Sequence, residues 1–108
     1  HRMTFTLTIK TAEDRAQEGE MARRNACAAE CRRRIIAVVG ETNQINISGA
    51  AAAGLLSEAD LAIYANAILW VAEMRAAWAP LAASAADFTD DAQWPPVPDG
   101  VRALFAGF

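Results

Sequence analysis

The sequence has few of the side chains that build metal sites and catalytic sites. Its 108 residues include one histidine, His1, and two cysteines, Cys27 and Cys31. The cysteines lie four residues apart on one predicted helix face, but a zinc site needs further Cys or His ligands. A Ser/His/Asp set and a glycine-rich phosphate loop are also missing. We therefore predict a protein that is not an enzyme and binds no metal or cofactor, with both cysteines buried as small side chains.

The sequence also lacks an excess of basic charge and a long apolar run. Ten basic and thirteen acidic residues give a net charge of −3, whereas nucleic-acid binding needs a basic surface that releases counterions. No apolar run approaches the roughly 20 residues that cross a bilayer. Met3 is followed by alternating polar and apolar residues rather than by a signal peptide. We therefore expect neither nucleic-acid nor membrane binding, and two cysteines without a secretory signal indicate a reducing compartment.

Alanine dominates the apolar content that is present. Apolar residues make up 54% of the chain, and nearly half of them are alanine. Alanine is the strongest helix former and buries little surface. The composition therefore favours close helix–helix contact around a thin core, which a partner subunit would complete.

The first ten residues differ in pattern from the rest. Phe5, Leu7 and Ile9 alternate with threonines, and β-branched residues at period two predict a short strand or extended arm over residues 1–10. A single strand cannot satisfy its own backbone groups, so we expect it to pair with another segment or another chain.

The next segment has the pattern of a long helix. Thr11 and Asp14 fit a capping box at its start. Apolar or small residues then recur in steps of three, four or seven, as in a coiled-coil seam, at Met21, Ala28, Cys31, Ile35, Val38, Thr42 and Ile45. The spacing predicts one helix over residues 11–53.

Residues 42–48 leave an alternative open within that helix. Their helix propensity is low, and they could alternate as a strand. A strand there would pair with residues 4–9 and make the fold α+β. Asn43, Gln44 and Asn46 lie close to the seam, where polar side chains often fix register and oligomeric state.

A second helix is predicted over residues 57–83. Gly54 fits the end of the first helix, Ser57 fits a capping box, and Pro80 should kink or end the helix within a turn. The apolar face of this helix is predicted to hold Leu61, Tyr64, Ile68, Val71, Met74, Trp78 and Leu81. The short connection makes the two helices antiparallel.

The remaining residues form a loop and a short helix in this interpretation. Residues 84–98 are predicted to form an acidic, proline-rich loop. Trp94 to Pro98 should form a rigid strap that packs on the hairpin. Pro95 and Pro98 also match P-x-x-P, a motif of proline-rich peptide ligands. Residues 99–106 are predicted to be a short helix. The expected fold is mainly α: one domain with an antiparallel hairpin of long helices, an N-terminal strand or arm and a short C-terminal helix.

Two sets of side chains are candidates for contact with a partner. The seam and a tryptophan stripe supply the candidate interface residues, which are Met21, Cys31, Ile35, Val38, Ile45, Trp70 and Trp78. Tryptophan is common at interfaces, although core packing is the simpler role for these two. A basic cluster either forms a solvated face or holds an acidic partner or phosphates: Arg23, Arg24, Arg32, Arg33 and Arg34.

Several segments together resemble a group of small prophage proteins that are encoded beside tail genes, including tail-fibre-assembly-like proteins. The resemblance covers most of the chain, and five segments carry it: Arg34–Gly40, Thr42–Asn46, Ala51–Ser57, Trp70–Arg75 and Trp94–Val101. The resemblance implies a phage structural or assembly role, either as a virion component or as a chaperone that holds fibre subunits.

Three functional hypotheses follow. The first is a structural or chaperone-like component of a phage tail that self-associates as a dimer or trimer, in the host cytoplasm or the virion, and contacts other phage proteins. The second is a small anti-CRISPR-like inhibitor that binds a host protein complex through a charged face. The third is a nucleic-acid binder that uses the arginine cluster, and the net charge of −3 counts against it.

Overall fold

The chain folds mainly into α-helices. A computed structural model describes residues 11–108, and the strand or arm predicted over residues 1–10 lies outside them. The described elements are α1 (Ala12–Val39), α2 (Glu41–Ala52), α3 (Glu58–Ala83), a 3₁₀ turn (Asp91–Gln93) and α4 (Val101–Ala106). The long helices α1 and α3 pack against each other, and α4 contacts both. The predicted hairpin of long helices with a short C-terminal helix is confirmed.

Two thiols show that α1 and α3 run antiparallel. The Cys27 thiol donates to the backbone oxygen of Trp78, and the Cys31 thiol donates to that of Met74, each at 3.3 Å. One helical turn forward along α1 therefore corresponds to one turn back along α3. Both cysteines are almost completely buried, as predicted, and their small side chains let the two backbones approach closely.

Both long helices begin at the predicted capping residues, with the complete capping box at Thr11 and one of its two bonds at Ser57. The hydroxyl of Thr11 accepts from the backbone N–H of Asp14 at 3.0 Å, and the Asp14 carboxylate accepts from the N–H of Thr11 at 3.2 Å. At the start of α3, the hydroxyl of Ser57 accepts from the N–H of Asp60 at 3.1 Å. These bonds satisfy backbone donors that the first helical turn leaves without partners.

The prediction of one unbroken helix over residues 11–53 is wrong at Gly40. This residue has φ 68° and ψ 154°, so it ends α1 and begins α2. An L side chain rarely adopts that backbone conformation, which glycine reaches at little cost. Residues on both sides remain helical, so the alternative of a strand over residues 42–48 is also wrong.

A tight turn at Gly54 then reverses the chain, as predicted. Gly54 has φ 72°, its N–H donates to the oxygen of Ala51, and the N–H of Leu55 donates to that of Ala50. This pair of bonds is the Schellman motif, which satisfies the last carbonyls of α2. At the other end of α3, Pro80 lies in the last turn and the helix ends at Ala83.

The C-terminal segment crosses one side of the hairpin and closes the core there. Trp94 is 6% exposed, and its indole N–H donates to the oxygen of Phe88 at 2.7 Å. The indole N–H of Trp70 on α3 donates to the oxygen of Pro95 at 3.1 Å. The predicted strap at Trp94 is therefore present, and it is attached through both indole groups.

Helix α4 packs against the end of the hairpin and against α2. Val101 and Phe105 on α4 are buried. The side-chain amide of Asn43 donates to the oxygen of Phe105, and that of Asn46 donates to the oxygen of Phe108, each at 2.9 Å. The two asparagines therefore satisfy carbonyls at the C-terminal end of α4. In the described part of the chain, no helix is long and apolar enough to cross a membrane.

Candidate functional site: the uncovered face of the hairpin

Within residues 11–108, segment 84–100 covers one side of the hairpin. Two adjoining grooves run between α1, α2 and α3 and share Gln44 and Arg75, and Phe105 of α4 also lines one of them. We call this surface the open face and define it by residues that line the two grooves: Arg32, Ile36, Gln44, Ile68, Arg75 and Trp78. None of the lining residues belongs to segment 84–100, which crosses the hairpin elsewhere.

Large apolar side chains are exposed on and beside the open face. Ile68 is 53% exposed, and Leu61, seven residues earlier on the same side of α3, is 41% exposed. Ile45 follows Gln44 on α2 and is 73% exposed. Leu61 and Ile68 were predicted on the apolar face of the second helix, but they do not belong to the core. Val71, Met74 and Leu81 of that predicted face are buried, together with Ala67, Trp70 and Ala82.

The predicted interface residues separate into three groups. Cys31, Ile35 and Trp70 are buried within the hairpin. Val38 and Trp78 are half-buried and pack against the same core. Met21 and Ile45 are exposed, at 64% and 73%. The seam thus forms mainly the contact between α1 and α3, and only its two ends reach the surface.

Arg23 from the predicted basic cluster binds within the fold. Its guanidinium donates to the backbone oxygens of Leu81, Ala82 and Ala86 at 3.2, 2.9 and 2.6 Å, and it lies 5.2 Å from the centre of the Phe88 ring. The last carbonyls of a helix lack helical partners and carry partial negative charge. Arg23 therefore caps the C-terminal end of α3 from the neighbouring helix.

Arg34 attaches the C-terminal segment to α1. Its guanidinium donates to Glu30 at 2.7 Å, to the Asp91 carboxylate at 2.7 Å and to the backbone oxygen of Thr89 at 2.9 Å. The same group lies 5.5 Å from the centre of the Trp94 ring. Arg34 and the buried Glu30 thus belong to the structure of the monomer.

The other three arginines are more accessible. Arg24 lies 4.8 Å from the centre of the Trp78 ring at the edge of the open face. The side chain of Arg33 pairs with Glu30 and is 67% exposed. The side chain of Arg32 is 78% exposed and lies 3.8 Å from Glu41. These three remain candidates for contact with a partner, and Arg24 and Arg32 border the open face.

The buried thiols are held in their neutral form. Burial raises the pKa of the Cys27 thiol, and the Arg23 guanidinium opposes this shift in part. Burial also raises the pKa of the Cys31 thiol, the neighbouring Cys27 raises it further, and Arg75 opposes both. A thiol with a raised pKa is a poor nucleophile and a poor metal ligand. Among the residues described, no group of three His, Cys, Asp or Glu side chains could hold a metal ion.

The open face presents apolar, polar and charged side chains together. It combines exposed apolar side chains with the cations Arg32 and Arg75 and with Glu41 and Gln44. Comparison of the chain with protein-family models, with curated proteins and with solved structures returns no match. The geometry of this face is consequently the observation on which a function can be argued.

Proposed function

We propose that this protein is a non-enzymatic structural or chaperone-like component of phage tail assembly that works by self-association through its open face. The observation that carries the proposal is the exposure of Leu61, Ile68 and Ile45 on and beside two grooves that segment 84–100 does not cover. The similarity of the sequence to small prophage proteins encoded beside tail genes supplies the biological setting. In that setting, the protein acts in the host cytoplasm or in the virion.

The energetics favour covering this surface. Burying a Leu or Ile side chain contributes roughly 1.5–3 kcal/mol relative to leaving it in water. Contiguous exposed apolar patches on soluble proteins usually mark interaction surfaces. Leu61 and Ile68 lie seven residues apart on one helix face, so one partner element can cover both.

The charges around the surface favour a protein partner that resembles the chain itself. Arg32 and Arg75 border the grooves together with Glu41, so the rim carries both signs of charge. A mixed rim complements a second copy, because each sign finds the opposite one on its counterpart. A nucleic acid would instead require an excess of cations.

Complementation of an induced prophage tests the assembly role. Deleting the gene from the phage that encodes it should leave lysates without complete tails, and the unchanged gene should restore them. The Ile68→Asp variant should fail to restore tails, because it places a charge in the contact. Ala103→Asp is the matched control, since it adds the same charge at an exposed position of α4 that lines neither groove. Normal tails without the gene, or with Ile68→Asp, would contradict the proposal.

A second candidate function is inhibition of a host defence complex, in the manner of an anti-CRISPR protein. The observation in its favour is the exposure of the Arg32 and Arg33 side chains, at 78% and 67%. The test replaces these two by alanine and leaves Arg34 in place, because Arg34 holds the C-terminal segment. Loss of binding to a purified host complex, with an unchanged circular dichroism spectrum, would favour inhibition. Unchanged binding would exclude the arginine face as the contact.

A further inference from the structure

We propose that a second copy of the chain covers the open face by packing its α3 antiparallel against α3, in one register that two charge pairs select. This inference rests on the self-association proposed above. It adds the helix that makes the contact, the relative orientation of the two helices and the residues that meet. The occupant is a second copy because the same stripe of residues is complementary to itself.

The outer side of α3 carries a second seam, distinct from the one that faces α1. We call it the outer stripe, and its members follow one another in steps of three and four, the spacing of positions that face a partner helix. All of them are exposed, and the stripe spans about 26 Å of helix. Its members are Glu58, Leu61, Ala65, Ile68, Ala72 and Arg75.

Large and small residues alternate along the centre of the outer stripe. When two copies are placed antiparallel about a twofold axis between residues 66 and 67, Leu61 meets Ala72 of the second copy and Ile68 meets Ala65 of the second copy. Each large side chain therefore lies over an alanine, so the helices can approach closely without collision. The contact between α1 and α3 uses the same device, with Cys27 and Cys31 as the small residues.

The charges at the two ends select this register. In the same arrangement, Glu58 meets Arg75 of the second copy, and the twofold axis repeats the pair at the other end. Within residues 11–108, neither Glu58 nor Arg75 takes part in an ion pair, so both are available. If one α3 shifted by seven residues along the other, the two charges would no longer meet. Arg75 would then lie against Ala65, or Glu58 against Ile68, depending on the direction of the shift. A parallel arrangement would place Arg75 against Arg75, which costs free energy through repulsion.

Charge reversal tests the register directly. Sedimentation equilibrium measures the dimer dissociation constant of the full chain, of Glu58→Arg and of Arg75→Glu. Each single variant places like charges together at both ends, so we expect a dissociation constant about tenfold higher. An equimolar mixture of the two single variants should recover the wild-type constant within about threefold, because both end pairs are opposite again in the mixed dimer. The double variant Glu58→Arg/Arg75→Glu should recover it too.

Matched controls separate the register from general charge effects. Glu73→Arg makes the same substitution on α3 outside the outer stripe, and Arg102→Glu makes the reverse substitution on α4; both positions are exposed. We expect both controls to dimerise as the wild type does. Circular dichroism and the midpoint of thermal unfolding verify that each variant is folded.

The outcomes distinguish this inference from the function on which it rests. If the wild type self-associates but the single variants dimerise equally well, or the mixture is not restored, the register is wrong and self-association stands. If Glu73→Arg weakens the dimer as much as Glu58→Arg, the register is again wrong. A wild-type chain that remains monomeric at every concentration would overturn both proposals.

Discussion

The thiol of Cys31 lies 3.3 Å from the backbone oxygen of Met74 on the facing helix. Such a contact requires a side chain of only two heavy atoms, because the backbone of α3 occupies the space that a longer side chain would fill. Cys31 is 3% exposed and Met74 is 1% exposed. The cysteine therefore sets the distance between the two long helices, and the stability of the hairpin depends on its size.

Enlarging that side chain should destabilise the hairpin. Cys31→Leu adds carbon atoms to a closely packed contact, and overpacking of this kind costs about 1–3 kcal/mol. Ala29→Leu is the matched control, since Ala29 is exposed on the same helix, and its effect should stay within about 0.5 kcal/mol. Urea unfolding monitored by circular dichroism measures both. Equal unfolding free energies for Cys31→Leu and wild type would show that the helices are not held at this distance.

The stability of the fold should fall at alkaline pH. The pKa values of Cys27 and Cys31 are raised in the folded protein, chiefly by burial, so folding opposes loss of the thiol protons. The contribution of the two neutral thiols to the free energy of unfolding is complete below the pKa of an unfolded thiol, about 8.5. It is lost as the pH rises through the raised pKa values of the folded protein. Urea unfolding at pH 7 and pH 10 measures this effect. The Cys27→Ala/Cys31→Ala variant should show a smaller fall, and an equal fall would assign the dependence to other groups.

Removing the capping guanidinium should cost more than removing an exposed one. Arg23→Ala removes the charged donor from the carbonyls of Leu81, Ala82 and Ala86, of which Leu81 keeps its bonds from Ser84. Hydrogen bonds to a charged group contribute about 1.5–3 kcal/mol. We expect a loss in that range in the free energy of unfolding. Arg32→Ala, at a position with 78% side-chain exposure, should cost less than about 1 kcal/mol. Thermal unfolding of both variants compares them, and the reverse order would contradict the capping role.

Substitution by alanine should change the free energy of unfolding in opposite directions at two glycines. Gly40 has φ 68°, so Gly40→Ala should destabilise the fold by about 1–3 kcal/mol through backbone strain. Gly49 lies inside α2, and a Cβ added there meets nothing within 4 Å. Gly49→Ala should therefore stabilise the fold by about 0.4–1 kcal/mol. Chemical denaturation of the two variants and the wild type measures both changes in the free energy of unfolding. A stabilising Gly40→Ala would mean that α1 and α2 form one continuous helix in solution.

The hairpin itself was predictable because its signals are local. The capping residues Thr11 and Ser57, the stop at Gly54 and the periodicity of the two long helices all act within a few residues. The break at Gly40 was not predictable in the same way. Apolar residues continue in register on both sides of it, so the periodicity gives no sign that this glycine adopts a positive φ.

The open face was missed because a single apolar face was assumed for the second helix. Leu61 and Ile68 belong to the outer stripe, whereas Trp70 and Met74 are buried, and both sets have helical spacing. The side that is covered depends on where residues 84–100 cross the hairpin, which no local pattern determines. The roles of Arg23 and Arg34 were missed for a related reason. Apart from Glu30, which lies four residues before Arg34, their hydrogen-bond partners lie more than fifty residues away in sequence.

Absolute mass in solution tests the central claim most directly. Light scattering on a sizing column, at two protein concentrations, compares the wild type with Ile68→Asp and Met21→Asp. Met21→Asp is the control, because Met21 is an apolar residue that is 64% exposed and lies outside the outer stripe. We predict a wild-type mass of about twice the 11.6 kDa of one chain, decreasing on dilution. We predict the same for Met21→Asp and a monomer for Ile68→Asp. A wild-type mass of 11.6 kDa at both concentrations would contradict the account.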